Sequence, residues 1–387
     1  MTPAGFAAAD GFMLAFVGAA FLFFAIWGGL EKLRANYQRE GARVYTGNAR
    51  ALRWYGRAIL LHTPVAVLTP VDASDLRALC EGYGMAEPRS FTGIAGGSVN
   101  SNYALEGAGG RVFLRLYEEQ GIDGARRECA MLERLAGKGV PTPAPIRRSD
   151  GEHVSVVRGK PAVLFPWRDG HMRCQAGVTP ADATRVGAAL ARVHVAGAGE
   201  PAEAGRFGVD ALGARLDRIA ASGDPTFAPM VPELRTAVAR VHAARSTPLP
   251  RGLTHGDLFR DNVLWADSGE VSALLDFESA CEDAFAYDLM VTVLSWCFGD
   301  DLEARLASAM REGYESVRPL TEPEKQALCA EGAFAAMRFT ITRITDYAMR
   351  TSATGPRVVK DWRRFAKRFE KLDALGPAGT RALLGAS

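Results

Sequence analysis

The sequence predicts an α+β protein with two unequal lobes, and three observations lead to this expectation. Five short strand patterns and one amphipathic helical pattern fall between residues 91 and 165. Six segments of helical length and periodicity follow after Pro180. The 387 residues are 48% hydrophobic and 23% charged, a composition that allows one or two ordinary hydrophobic cores.

The small lobe is predicted to begin with a helix that starts at Asp72 or Ser74 and runs toward Tyr83, since short polar side chains cap helix N-termini. Strand patterns follow at residues 91–94, 101–105 and 111–117. The glycine-rich turn at residues 107–110 suits a hairpin. The loop at residues 93–100 is longer and richer in hydrogen-bond donors than a hairpin needs.

The second half of the small lobe contains one helix and two strands. An amphipathic helix is predicted for residues 124–138, and Gly139 together with the prolines at 141–145 ends it. Two strand patterns follow at residues 154–157 and 162–165. A connector comes next, so we assign residues 65–166 to this lobe.

The larger lobe, residues 167–387, is predicted to be mainly helical. Helical patterns cover residues 182–194, 212–221, 233–244, 287–298, 302–314 and 322–349. Two short strand patterns, 262–265 and 271–277, interrupt them and are separated by a polar turn.

The amino terminus differs from both lobes. Residues 11–30 carry no charge, and their number is about what a helix needs to cross a bilayer. Seven basic residues and two glutamates lie between residues 31 and 57, a bias that would keep the rest of the chain in the cytoplasm. Three interpretations of residues 1–64 stay open: a membrane tether, a buried helix, or translation from an upstream start codon.

Charge and cysteine content exclude several classes of protein. The 46 Lys and Arg against 44 Asp and Glu give a net charge of +2, so we expect no nucleic-acid partner. The six cysteines are far apart, without the close pairs of a zinc site or the density of a disulfide scaffold. We expect them to be reduced and mostly buried.

A motif in the larger lobe carries the strongest chemical signal. The stretch LTHGDLFRDN contains Asp257 and Asn262, and Asp276 follows in LLDFE. Phosphoryl transfer needs a carboxylate that orients the attacking hydroxyl and oxygen ligands that hold magnesium against the phosphates. Asp257 can supply the first, while Asn262 and Asp276 can converge on a metal ion, since hard cations prefer oxygen.

The loop GIAGGSVN in the small lobe has the properties of a phosphate-binding loop. Gly96 and Gly97 allow close approach of the backbone to a ligand, and Ser98 and Asn102 add small donors. The alternative is that these glycines serve only to form the turn.

Together these motifs resemble those of aminoglycoside phosphotransferases, choline kinases and homoserine kinases. The resemblance implies a protein-kinase-like fold that uses ATP and Mg²⁺, with Asp257 as catalytic base and Asn262 and Asp276 as magnesium ligands. It also implies that Arg115 and Glu128 pair to hold the phosphates, although many relatives have Lys at the first position. Phe165 and Trp167 then lie in the connector that offers backbone groups to adenine.

Two longer stretches, LLDFESACEDAFAYDLMVTVLSWCF and GYESVRPL, are most similar to homoserine kinases. The resemblance spans about residues 65–369 and implies phosphorylation of the homoserine hydroxyl. A zwitterionic acceptor needs a cation and an anion in its pocket. Candidates are Arg338 or Arg343 for its carboxylate and Glu278 or Asp346 for its ammonium, with ordinary surface ion pairs as the alternative.

Two other functions stay open at this stage. A kinase of the same fold can act on an aminoglycoside or choline, and a membrane-anchored pseudokinase can bind nucleotide as a scaffold. The presence of Asp257, Asn262 and Asp276 together argues against the scaffold.

Overall fold

The computed structural model describes residues 68–94, 99–245, 248–349 and 360–386. All of them belong to the unit Pro64–Ser387. Residues 11–30, where the sequence leaves a membrane span open, lie outside this description. Among the helices that are described, none combines the length and the apolar character that crossing a bilayer requires.

The small lobe is a five-stranded antiparallel sheet with a helix on each side. The helices are α1 (Ala73–Gly82) and α2 (Ile122–Gly137). The strands are β1 (Ser90–Gly93), β2 (Ser101–Gly107), β3 (Gly110–Leu116), β4 (Ser155–Val157) and β5 (Lys160–Pro166). Their order in the sheet is β1-β2-β3-β5-β4. All five predicted strands and both predicted helices are confirmed, and Asp72 caps α1 in a capping box with Asp75.

Successive side chains of β3 point to opposite faces of the sheet, and this determines which of them face α1 and which face α2. Leu114 and Leu116 are fully buried in the core beneath α1, together with Leu76 of that helix. Because successive side chains point to opposite faces of a sheet, Arg115 lies on the other face, the one that α2 covers. Glu128 of α2 is there to meet it.

The large lobe is mainly helical, as predicted. Its helices are α3 (Pro180–Ala196), α4 (Val209–Ala221), α5 (Val231–Ala244), α6 (Phe285–Trp296), α7 (Ala304–Glu315), α8 (Glu322–Arg343) and α9 (Arg363–Leu384). Its short strands pair in two antiparallel ladders, β6 (Arg251–Thr254) with β9 (Cys281–Ala284) and β7 (Val263–Trp265) with β8 (Val271–Leu274). Every residue of α6 is buried, so this helix forms the centre of the lobe.

Helices α3 and α7 approach each other unusually closely. A Cβ atom on Gly187 would overlap the Met310 carbonyl, and one on Gly313 would overlap the Thr184 carbonyl. Glycine is therefore required at both positions of this crossing, which packs α3 directly against the backbone of α7.

The structure differs from the sequence-based expectations in three places. The predicted helix 322–349 is regular only to Arg343 and continues as one π-helical turn, Ile344–Ala348. The strand expected at 271–277 ends at Leu274, because Asp276 takes a left-handed backbone conformation with φ 62°. The sequence patterns also missed β6, β9 and α9, of which the two strands are only four residues long.

Candidate active site

The loop after β6 carries the HGD motif and is held by one buried carboxylate. Asp288 of α6 accepts hydrogen bonds from the backbone nitrogens of His255 (2.7 Å) and Gly256 (2.8 Å). Gly256 has a φ of +73°, and a Cβ there would lie 2.7 Å from the Ser279 carbonyl oxygen. The tight turn that presents Asp257 therefore requires glycine. These bonds give Asp288 a structural role, since its carboxylate fixes the backbone of the HGD loop.

His255 supports the same loop from the inside. Its Nε2 donates to the Leu275 carbonyl (3.0 Å), and its Nδ1 accepts from the backbone nitrogen of Asp257 (3.3 Å). Burial lowers the pKa of His255, so the ring is neutral and carries its proton on Nε2. This ring ties the HGD loop to the end of β8.

A buried chain of polar side chains continues behind Asp288. His194 of α3 donates from Nε2 to Asp288 (3.0 Å) and accepts at Nδ1 from the Tyr314 hydroxyl (2.7 Å). Arg318 donates to that hydroxyl (3.1 Å) and pairs with buried Glu324 (2.9 Å). Sequence reasoning did not single out His194 or Tyr314, because a histidine and a tyrosine on apolar helices look like ordinary core residues.

Asn262 and Asp276 lie at neighbouring ends of the β7–β8 ladder. The Asn262 carbonyl accepts from the backbone nitrogen of Leu275 (2.9 Å), which joins the residue before Asp276 to Asn262. The Asn262 side chain donates from Nδ2 to the Asp257 carbonyl (2.8 Å), so its Oδ1 is the atom available to a cation. The Asp276 side chain is 38% exposed. One amide oxygen and one carboxylate are a donor set that suits Mg²⁺.

Arg115 stands among three carboxylates at the junction of the lobes. Its Nη1 lies 3.6 Å from Glu128, 3.7 Å from Glu278 and 3.9 Å from Asp276. Burial opposes its charge, but these carboxylates raise its pKa above the ordinary value, so it stays protonated. Among the described residues, the buried Nε of Arg115 and both oxygens of Glu128 have no hydrogen-bond partner.

Other residues predicted to face nucleotide are distributed around this cluster. Asn102 of β2 is directly opposite Arg115 of β3 in the sheet register, and it is buried. Phe165 is buried edge-on against Phe113, and half-buried Trp167 lies under the Arg111 guanidinium at 4.5 Å. The three remaining predictions, Gly96, Gly97 and Ser98, fall outside the described residues.

A cavity of about 460 Å³ opens beside Asp257. Burial raises the pKa of Asp257 to about 7, although Arg338 and Lys360 oppose this shift. Two of the three carboxylates near Arg115, those of Asp276 and Glu278, also line the cavity. A carboxylate that titrates near neutral pH, next to a site with metal-binding oxygens, has the properties of a base that orients a hydroxyl.

All four predicted acceptor residues line this cavity, but their contacts differ from the expectation. Arg338 is 3% exposed and donates to the Gly256 carbonyl (2.5 Å), and Arg343 donates to the Asp361 carbonyl (2.9 Å). Glu278 contacts Arg115 and accepts from Asn100, so it belongs to the junction of the lobes.

Asp346 is paired with Arg215 of α4 (2.5 Å), a residue that sequence reasoning missed. The two are 131 positions apart, and an arginine on an amphipathic helix gives no local signal of such a role.

Comparison with known proteins identifies the class of this site. The model of a family described as "Phosphotransferase enzyme family" matches residues 90–320. The homoserine kinase of Gluconacetobacter diazotrophicus is 38% identical over 290 residues, which cover 73% of this chain and 89% of that protein. The homoserine kinase of Acidiphilium cryptum is 37% identical over 288 residues, with the same coverage of both chains. The chain therefore belongs to the phosphotransferase enzyme family and, within it, to the group of these homoserine kinases.

Solved structures agree on the fold. An amicoumacin kinase superposes with a TM-score of 0.57 at 15% sequence identity, over 78% of this chain and 92% of that one. The chain thus has the two-lobed, protein-kinase-like architecture that the motifs implied.

Proposed function

We propose that this protein transfers the γ-phosphoryl group of ATP to the hydroxyl of L-homoserine, with Mg²⁺ as cofactor. Its membership in the phosphotransferase family supports the reaction class, and the homoserine kinases that it resembles support the acceptor. The observation that carries the choice of acceptor is the distribution of charge around the cavity beside Asp257.

The cavity wall combines both signs of charge, with one more basic than acidic residue. Six basic residues line it: Arg206, Arg215, Arg218, Arg338, Arg343 and Lys360. Five acidic residues line it: Glu119, Asp257, Asp276, Glu278 and Asp346. Asp276 and Glu278 are within 4 Å of Arg115, so the remaining wall has more cations than anions. A polycationic aminoglycoside would be repelled there, whereas a small zwitterion that carries a carboxylate would be accommodated.

Asp257 is the residue to which we assign the acceptor hydroxyl. The loop that holds it is fixed through Asp288 and His255, so its carboxylate needs little reorganisation during the reaction. With a pKa of about 7, it is ionised in a large fraction of molecules at neutral pH and can accept the hydroxyl proton.

Asn262 and Asp276 would hold the magnesium ion through the Asn262 Oδ1 and the Asp276 carboxylate. When bound, the ion neutralises charge on the phosphates. Asn262 has a second task, since its amide nitrogen fixes the Asp257 backbone.

Arg115 would contact the phosphates. Its Nε makes no hydrogen bond within the described part of the chain, and its Nη1 contacts to carboxylates are all longer than 3.5 Å. We assign the phosphate cover to Gly96, Gly97, Ser98 and Asn102, and the adenine contacts to the connector at Phe165 and Trp167. In this proposal, residues 65–166 bind nucleotide and residues 167–387 carry catalysis and the acceptor, on the cytoplasmic side where ATP is available.

An acceptor screen tests this function. The full-length protein with MgATP should consume ATP with L-homoserine and yield O-phosphohomoserine by mass spectrometry. Choline, ethanolamine and aminoglycosides should give rates at least about tenfold lower, because they lack the carboxylate that the basic wall would meet. Preferential turnover of an aminoglycoside would reject homoserine as the acceptor, and absence of turnover with every acceptor would favour a nucleotide-binding scaffold.

A further inference from the structure

An arginine and an aspartate lie side by side in the acceptor cavity. Arg215 of α4 donates from Nη1 to Asp346 Oδ1 (2.5 Å) and to the Thr345 hydroxyl (2.6 Å). The Thr345 hydroxyl also donates to Asp346 Oδ1 (2.9 Å). All three line the same cavity as Asp257. The wall therefore presents a positive and a negative group next to each other.

Both members of this pair retain unused hydrogen-bonding groups. Within the described residues, hydrogen bonds engage only Nη1 of Arg215 and only Oδ1 of Asp346. The Arg215 side chain is 21% exposed and the Asp346 side chain 39%. A guanidinium has five N–H donors and a carboxylate has two oxygens, so each group can bind a ligand without breaking the pair.

The backbone around Asp346 is itself unusual. Helix α8 changes at Ile344 into a single π-helical turn that contains both Thr345 and Asp346. Such turns occur frequently at functional sites, where the extra residue per turn changes the direction of side chains. The turn brings Thr345 and Asp346 together against Arg215.

Two other arginines that line the cavity, Arg338 and Arg343, are already occupied. Arg338 lies between the rings of Phe207 (3.9 Å) and Phe339 (4.1 Å), with its Nη1 on the Gly256 carbonyl. Arg343 is 9% exposed and stacks on Phe365 at 4.5 Å. Arg338 is thus suited to holding the HGD loop, and it is less accessible than Arg215 to a carboxylate in the cavity.

We propose that Arg215 and Asp346 together recognise the α-carboxylate and the α-ammonium of an amino-acid acceptor. The acceptor carboxylate would contact Arg215 and the acceptor ammonium would contact Asp346, so that each charge meets its opposite. Because the pair and Asp257 line the same cavity, an acceptor held in this way can present its hydroxyl to Asp257. The inference rests on the proposed phosphorylation of an amino-acid alcohol, and it names the residues that select that class.

Three acceptors separate the two contacts. L-Homoserine carries both charged groups, 3-aminopropanol lacks the carboxylate, and γ-hydroxybutyrate lacks the ammonium. The measurement is kcat/KM for each acceptor with the full-length protein, its Arg215→Gln variant and its Asp346→Asn variant. Asparagine keeps the oxygen that accepts from Arg215 and Thr345, so this substitution removes the charge and spares the local structure.

The expected result is a crossed pattern. In Arg215→Gln, the preference for homoserine over 3-aminopropanol should fall by about 10- to 100-fold, the equivalent of one charge-assisted hydrogen bond. The preference for homoserine over γ-hydroxybutyrate should fall by a similar factor in Asp346→Asn. Each variant should keep the other preference, and Arg215→Lys should recover part of the first one, because it restores charge but not the planar fork.

Ratios between acceptors within one variant do not depend on how much of that variant is folded. The matched control pair is Arg240 with Asp373, an exposed ion pair (2.7 Å) that does not line the cavity. Arg240→Gln and Asp373→Asn should leave both preferences unchanged.

Two contrary results have different meanings. If the wild type phosphorylates homoserine but both cavity variants lose activity equally toward all three acceptors, the pair is structural and this inference is wrong. If the wild type phosphorylates none of them, the proposed function fails, and the inference fails with it.

Discussion

Behind Asp257 the buried carboxylate of Asp288 accepts three hydrogen bonds, whereas beside Arg115 the buried carboxylate of Glu128 accepts none among the described residues. The two side chains are almost equally buried, at 0% and 6% exposure. Burial favours the neutral form of both. Hydrogen bonds from His194 and the backbone nevertheless hold the pKa of Asp288 below its ordinary value, while the pKa of Glu128 rises to about 7.

The difference separates a rigid side of the site from an adaptable one. The groups around Asp288 are satisfied within the protein and keep Asp257 in place. Around Arg115, the buried Nε donor of Arg115 and the two oxygens of Glu128 lack hydrogen-bond partners within the described chain, and a phosphate oxygen of a ligand can accept from that Nε. Each of the following predictions either sharpens this contrast or would remove it.

The largest expected effect is on the rigid side. Asp257→Asn should lower kcat by about 10²- to 10⁴-fold, because a base that orients the hydroxyl contributes about that much. Thermal unfolding and ATP affinity should change little, since Asp288 and His255 still hold the loop. Asp267→Asn, a fully exposed position in the turn after β7, serves as the control. Near-normal turnover in folded Asp257→Asn would refute the assigned role.

Asp288→Asn should lower the free energy of unfolding by about 3 kcal/mol at neutral pH, because an amide cannot accept all three donors. An aspartate with a lowered pKa contributes stability above the ordinary value of 3.8, and this is lost as the pH falls through the folded-state pKa. Urea unfolding at several pH values measures the free energy of unfolding of the wild type and of Asp288→Asn. The difference between the two proteins should be constant from pH 5 upward, at about 3 kcal/mol. A difference below about 1 kcal/mol would show that the loop does not depend on this carboxylate.

Arg115→Ala should weaken ATP binding by about 10- to 100-fold, the equivalent of a lost charge-assisted contact. Arg115→Lys should recover only part of the lost affinity, because an ammonium restores the charge but lacks the planar fork of donors. Isothermal titration with MgATP measures both, with Arg126→Ala, an exposed arginine on α2, as the control. An unchanged affinity for MgATP in Arg115→Ala would show that Arg115 does not contribute to nucleotide binding.

Glu128→Gln should have the opposite effect on stability to Asp288→Asn. Because the pKa of Glu128 is raised in the folded state, ionisation of this group lowers the free energy of unfolding as the pH rises from 4.5 to about 7. Removing that group should raise the free energy of unfolding of the ligand-free protein by about 1 kcal/mol at pH 7 and less at pH 5. Equal pH dependence in both variants would remove the distinction drawn between the two carboxylates.

The smallest effect is expected at the amino terminus. A chain that begins at Val65 should fold and keep the kcat of the full chain, since the family match and all assigned residues lie beyond that point. Loss of turnover in a folded protein of this length would show that residues 1–64 contribute to the site.

Local patterns predicted a large part of the fold. Strand alternation and helical periodicity identified the five strands of the small lobe and most helices of the large one, because burial of one face imposes these periods. The short strands β6 and β9 escaped prediction, since four residues with polar members carry too little periodicity. The π-helical turn escaped as well, because residues 322–349 read as one continuous helix.

The sequence alone determined the identity of the chemical groups. Asp257, Asn262 and Asp276 lie within one loop and one hairpin, so their spacing along the chain already limits their arrangement in space. Tertiary structure decided what those groups are bonded to and how they titrate. The Arg215–Asp346 pair joins residues 131 positions apart, and His194 reaches Asp288 across 94. Such contacts, and the opposite pKa shifts of Asp288 and Glu128, arise from packing and burial, which depend on every element that surrounds a residue.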